Sequence, residues 1–212
     1  MQNSDPQQLR RLIEQRLQHT SPSTDPAQAR PGLTPEHSER YRALMPPAPV
    51  AAAVLIPIVE RERELTLLFT ERASHLKRHA GQISFPGGKL ESFDAGPTEA
   101  ALRETEEEIG LSREFVTIAG YLDPQLILTG YCVAPVVGFV RPGFTLKLDS
   151  TEVADAFEVP LLHVLDSTNH RLRERIAGGF SFQVHDIPFG DRNIWGATAG
   201  MLVALHKKLL EP

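Results

Sequence analysis

The chain of 212 residues predicts an α/β fold in which a mixed β-sheet carries helices on both faces. Three observations lead there. Residues 50–59 are β-branched and apolar, a polar turn follows at Arg61 to Arg63, and residues 65–70 return as a second apolar run, which is a hairpin. Residues 97–110 and 194–210 have helical character. Strands and helices then alternate without a strict β-α repeat, which favours a mixed sheet over a doubly wound parallel one.

In chain order, residues 7–19 place Leu9, Leu12, Ile13 and Leu17 on one helical face, with Arg10, Arg11, Glu14 and Arg16 elsewhere. This short amphipathic helix is expected to pack on the domain or a partner subunit, because so few apolar residues make poor membrane contact. Residues 20–35 are rich in Ser, Thr, Pro and Ala without periodicity and read as an irregular linker. The division expected is therefore 1–45, an N-terminal amphipathic helix and Pro-rich linker, and 46–212, the main domain. After the first hairpin, residues 83–85 form a short extended piece ended by Pro86, and Gly87-Gly88 opens backbone angles closed to other residues. Pro97 suits the first turn of a helix that stops at Gly110. Residues 116–122 and 133–140 are strands, 171–176 and 180–184 flank Gly178-Gly179 as a second hairpin, and 194–210 is a mostly apolar closing helix.

Composition narrows the function. A formal charge of −5 with no basic block argues against a nucleic-acid partner. The longest apolar run, around 50–59, is too short to span a bilayer, and nothing at the N-terminus resembles a signal peptide, so a cytoplasmic protein without membrane contact is expected. The single cysteine, Cys132, lies in an apolar run and reads as a buried structural thiol.

The chemistry concentrates in Arg103-Glu104-Thr105-Glu106-Glu107-Glu108-Ile109-Gly110-Leu111. Like charges at i, i+3 and i+4 repel, and a divalent cation removes that penalty. With Ala101 at zero on a wheel of about 100° per residue, Leu102, Thr105 and Ile109 make the buried stripe. Glu107, Glu104 and Glu108 fall at about 240°, 300° and 340° on the same wheel, whereas Glu106, at about 140°, lies across the stripe and is expected to be ordinarily solvated. Arg103 neighbours Glu107 at i+4, placed to steady that carboxylate or meet a phosphate oxygen. Composition alone favours a solvated glutamate face; the double glycine reverses the balance, because a backbone without Cβ approaches a ligand closely and its carbonyl adds an oxygen donor. Hard oxygen ligands suit Mg²⁺ or Mn²⁺.

These residues resemble the signature of the Nudix hydrolases: Gly, five residues, Glu, seven residues, then Arg-Glu-aliphatic-x-Glu-Glu-x-Gly-aliphatic. Residues 103–111 match at every charged and glycine position, with Thr105 at the aliphatic place. The first half departs: six residues after Gly88 stands Asp94 rather than Glu, and eight residues rather than seven separate it from Arg103. The resemblance implies a Nudix-type α/β/α sandwich and a hydrolase domain over 46–212. It implies Glu104 and Glu108 as metal ligands, Glu107 as ligand or water activator, and Gly88 as a carbonyl donor. Glu152 is the candidate for a further acidic residue completing the site.

Upstream, residues 68–88 resemble the coenzyme A pyrophosphatase branch, whose members carry Leu-(Arg/Lys)-x-His-x-Gly-Gln before Phe-Pro-Gly-Gly; here the match is Leu76-Lys77-Arg78-His79-Ala80-Gly81-Gln82 and Phe85-Pro86-Gly87-Gly88. Ile194-Trp195-Gly196-Ala197-Thr198-Ala199 is similar to that branch too. The implied substrate is coenzyme A or an acyl-CoA, cleaved to 3′,5′-ADP and (acyl-)4′-phosphopantetheine. Arg72, Lys77, Arg78, Gln82 and Ser84 are the expected substrate contacts, since a 3′-phosphate besides a diphosphate calls for cations. His75 and His79 are expected to be structural or to touch substrate. The competing readings are a Nudix enzyme acting on ADP-ribose, NADH or another nucleoside diphosphate derivative, and a non-catalytic Nudix-fold binding module. The retained glutamates argue against the module. A homodimer is the one assembly allowed for.

Overall fold

The computed structural model describes residues 5–31, 46, 48–76, 79–127, 129–177 and 180–211. Strand β2 (Val50–Glu60) is its spine. Ala52, Ile56 and Ile58 face one side and Ala53, Leu55 and Val59 the other, and all six are buried. A strand apolar on both faces belongs inside a sheet covered on both sides. On one edge β2 pairs in parallel with β8 (Tyr131–Val140), from Val50 opposite Tyr131 to Val59 opposite Val140. On its other edge it pairs antiparallel with β3 (Leu65–Arg72) from Ile58, and with β5 (Gly87–Lys89) up to Val54. Pro57 falls in the gap between those two pairings, where a residue without an N–H disturbs a central strand least.

The remaining strands complete a nine-stranded sheet. In it β1 (Arg30–Pro31), β7 (Gln125–Ile127), β8, β2, β3 and β4 (Ile83–Ser84) run in that order, with β6 (Val116–Tyr121) on β8 and β9 (Val153–Pro160) on β3. Parallel β1/β7 and β2/β8 pairs stand among antiparallel ones, so the sheet is mixed, as expected. A separate antiparallel sheet joins β10 (Arg171–Ala177), β11 (Phe180–Phe189) and β12 (Arg192–Trp195).

Helices cover both faces. Helix α2 (Pro97–Ile109) sets Ala100 and Ala101 against Ala53, Leu55, Ala134 and Val136. Small residues on both surfaces bring helix and sheet close. On the opposite face α1 (Pro6–Leu17), α3 (Leu161–Leu165) and α4 (Gly196–Leu210) enclose the larger core around Ile56, Ile58, Phe69, Val137 and Phe139. Cys132 is fully buried, as expected, and burial raises its thiol pKa.

Leu9, Ile13 and Leu17 of α1 are buried in that larger core. The Arg10 guanidinium lies 4.2 Å from the Phe139 ring centroid and pairs with Glu60. Thr20 accepts a hydrogen bond from the Tyr121 N–H (2.8 Å) and donates to the Leu17 carbonyl (2.6 Å). Helix α1 thus contributes to the same core as the main sheet.

Three expectations need correction. Arg30–Pro31 lies inside the stretch read as irregular, yet it pairs with Gln125 and Leu126; a two-residue edge pairing uses backbone groups and leaves no side-chain period to read. The closing helix begins at Gly196, not 194, because Ile194 and Trp195 pair with Ile187 and Asp186. The second hairpin is longer than its apolar pattern, reaching Phe189. Gly178 and Gly179, and the rest of the linker through residue 45, lie outside the described residues. Among the described residues no helix is long and apolar enough to cross a membrane.

Candidate active site

Helix α2 starts on Pro97 and ends where Gly110 takes a left-handed conformation (φ 68°). Thr105, the departure from an aliphatic residue, is fully buried and donates its hydroxyl to the Ala101 carbonyl at 2.6 Å. The polar atom is therefore satisfied inside the apolar stripe. The wheel divides the glutamates as expected, with one correction. Glu106 is half-buried rather than simply solvated: it accepts from the Arg113 backbone N–H (2.8 Å) and Nε (3.1 Å), which closes the turn after the helix.

The other three glutamates differ in exposure. Glu107 is exposed, Glu104 half-buried, and Glu108 only 5% exposed. Glu108 Oε2 accepts the Gly87 N–H at 3.1 Å, and Oε1 stands 3.9 Å from Arg72 Nη1. Burial pushes the Glu108 carboxyl up to about 7; the Gly87 bond and Arg72 pull down, while the charges of Glu152 and Glu104 push further up. Burial also raises Glu104, against the lowering effect of Arg103, with Glu107 and Glu152 adding repulsion. Glu152 is exposed, but its charge acts on both Glu104 and Glu108. Backbone bonds place it there: its carbonyl accepts from Ala73 N (2.8 Å), and Asp149 N donates to the Glu108 carbonyl (2.9 Å).

The double glycine is a steric requirement. A Cβ on Gly88 would lie 2.3 Å from Cδ of Glu104, and one on Gly87 (φ 152°) would lie 2.3 Å from the Ala53 carbonyl oxygen. Gly88→Ala is expected to displace the Glu104 carboxylate and weaken Mn²⁺ binding about tenfold or more. Titration calorimetry of Mn²⁺ reads this; unchanged affinity would remove Glu104 from the site.

Arg103 organises the rest. Nε and Nη2 donate to Oδ1 and Oδ2 of Asp94 (both 3.0 Å), Nη1 donates to Glu104 and Glu107 (both 2.9 Å), and Nη2 also donates to the Lys89 carbonyl (3.1 Å). A guanidinium has five N–H donors, and all five are engaged. A phosphate could bond Arg103 only by displacing one of them, so the geometry fits positioning better than substrate contact. The loop departure is resolved by the same group: the Asp94 side chain is 1% exposed, also accepts the Glu91 N–H (2.8 Å), and is held below the usual carboxylate range by Arg103. A shorter acid on a longer loop reaches the same arginine.

Of the expected substrate contacts, Arg72 sits at a β-bulge in the β3/β9 pairing, 27% exposed, with a buried Nε that makes no hydrogen bond. Ser84 hydroxyl and Thr70 hydroxyl are 3.1 Å apart, and Gln82 Oε1 is 2.7 Å from His79 Nδ1. His75 Nε2 meets the Thr151 carbonyl at 3.1 Å, so both histidines have structural partners. Lys77 and Arg78 lie outside the described residues.

Among the described residues no three His, Cys, Asp or Glu side chains stand already converged as a metal cage. The carboxylates are instead drawn toward Arg103 and Gly87. The donor set still fits a hard divalent cation: every donor is oxygen, and two carboxyls are raised by burial and by the charges of neighbouring carboxylates.

A protein-family model described as NUDIX domain matches residues 49–177. The "Uncharacterized Nudix hydrolase NudL" of Yersinia enterocolitica is 40% identical over 158 residues, covering 74% of this chain and 80% of that protein. The chain belongs to the Nudix hydrolase family. A protein of the same name from Escherichia coli K12 is 40% identical over 151 residues, covering 71% and 78%. Among solved structures, a Nudix hydrolase from M. smegmatis, RenU, is similar at 21% identity and a TM-score of 0.47, covering 56% of this chain and 75% of that one. The matched span begins after α1 and β1 and ends before β11, β12 and α4.

Proposed function

We propose that this Nudix hydrolase uses Mg²⁺ or Mn²⁺ to cleave the diphosphate linkage of coenzyme A or its acyl derivatives, giving 3′,5′-ADP and (acyl-)4′-phosphopantetheine in the cytoplasm. The observation that carries the reading is the junction of two motifs. The Leu76 to Gln82 segment, which resembles the coenzyme A branch, runs straight into the glycine turn whose N–H holds Glu108. Glu104, Glu107, Glu108 and the Gly88 carbonyl would hold the cation. When bound, it supplies charge neutralisation at the diphosphate and acidifies a water. Arg72, 27% exposed and with Nη1 3.9 Å from Glu108 Oε1, binds a diphosphate oxygen. Glu107 and Glu152 are the carboxylates open to solvent, and one of them accepts the proton of the attacking water. Arg103 positions Glu104 and Glu107 for this.

Lys77 and Arg78 are the cations for the 3′-phosphate, since Arg72 is committed near Glu108. Lys77→Ala should therefore raise KM for coenzyme A about tenfold, at roughly 1.4 kcal/mol for a lost charged contact, and leave 3′-dephospho-coenzyme A unaffected. Equal losses on both substrates would argue against the assignment.

A further inference from the structure

Four large hydrophobic residues are exposed among those described: Val50, Phe93, Leu172 and Ile176. Val50 opens β2, and Leu172 and Ile176 lie on edge strand β10. Phe93 is the aromatic one of the four, and its ring lies against Arg103, which holds Glu104 and Glu107. It is 74% exposed. We propose that Phe93 is a stacking platform for the planar base of the bound substrate. This rests on the reading that the substrate is a nucleotide-bearing diphosphate.

The turn that carries the ring is fixed at both ends. Asp94 N donates to the Glu91 carbonyl at 3.1 Å, Glu91 N donates back to the Asp94 carboxylate at 2.8 Å, and that carboxylate is clamped by Arg103. Phe93 lies between the two tied residues and is held out into water. Its ring centroid is 5.5 Å from the Arg103 Cζ, the same guanidinium whose Nη1 holds Glu104 and Glu107 at 2.9 Å. One ring face thus meets a cation, leaving the other free, and a base stacked there would extend a cation–π pair into a three-layer stack. The ring stands one guanidinium away from the carboxylates that face the diphosphate. A base linked to that diphosphate through a ribose has the reach to cover it. Stacking on a phenyl face selects flatness rather than a hydrogen-bond pattern, so the platform suits a nucleobase and does not choose among bases.

The test uses Phe93→Ala, Phe93→Leu and Phe93→Trp in the full chain, assayed with coenzyme A, ADP-ribose and a diphosphate diester of two alkyl alcohols that has no base. Calorimetry with 3′,5′-ADP gives a binding readout independent of turnover. Phe93→Ala and Phe93→Leu should each raise KM for base-bearing substrates about tenfold, with kcat within about twofold, and weaken 3′,5′-ADP similarly. Phe93→Trp should restore both, and the diester should respond to none of them. If ADP-ribose shows this pattern and coenzyme A is not cleaved, the coenzyme A reading fails while the platform stands. Wild-type KM in Phe93→Ala would overturn the proposal. So would full function in Phe93→Leu, an equal loss on the diester, or a changed molecular mass in Phe93→Ala, which would mark a contact between copies.

Discussion

Glu108→Gln is expected to lower turnover more than about 100-fold and, in metal-free protein, to raise stability at alkaline pH. The two effects have one cause. Glu108 is buried, and its carboxyl is pushed up to about 7 from an ordinary 4.5. A carboxyl raised on folding contributes stability that is fully present below its unfolded value and is lost as pH rises through the folded one. The window is therefore about pH 4.5 to 7, and above it the wild type carries a penalty of about 3 kcal/mol. Glutamine keeps an acceptor for the Gly87 N–H and never ionises. Urea unfolding of metal-free wild type and variant should show little difference at pH 4.5 and a clear gain for the variant at pH 8. Metal binding must also expel the proton that Glu108 holds, so Mn²⁺ uptake near pH 6 should release close to one proton in the wild type and fewer in the variant. Normal turnover in Glu108→Gln would sink the assignment of this residue to the metal.

Arg103→Ala should be the most damaging single change to the fold of the site. It leaves the Asp94 carboxylate, 1% exposed, with the Glu91 N–H but without its cation, at a cost of about 3 kcal/mol. Arg103→Lys should not rescue it, because an ammonium has three donors and no planar fork to meet both oxygens of Asp94 together with Glu104, Glu107 and the Lys89 carbonyl. A double-mutant cycle with Asp94→Asn should return a coupling of about 2 kcal/mol. Calorimetric Mn²⁺ affinity should fall about 10- to 100-fold in Arg103→Ala, as for loss of a group that orients ligands. Additive stabilities in the cycle would mean that the arginine does not act through the loop.

Much of this was legible in the sequence because it depends on local patterns. The period of residues 97–110 separates the buried stripe from the glutamate face, and α2 keeps that division. The hairpin of β2 and β3 follows from one apolar run, a polar turn and a return. The illegible parts depend on partners distant along the chain. The wheel groups Glu108 with Glu104 and Glu107, but only the fold, which brings the Gly87 N–H onto its carboxylate, shows that it is the buried one of the three. Arg103 offers no sign that all five donors are engaged, since the Asp94 and Lys89 contacts require the loop to fold back. Arg30–Pro31, a pairing of two residues, is too short to show a period.

Incubation of the purified chain with coenzyme A, an acyl-CoA, ADP-ribose and NADH, each with Mg²⁺ or Mn²⁺, followed by mass analysis of the products, tests the central claim most directly. The account predicts 3′,5′-ADP with 4′-phosphopantetheine from coenzyme A, at a kcat/KM above that for ADP-ribose and NADH and only with the metal present. Cleavage of ADP-ribose or NADH with coenzyme A left intact would contradict it.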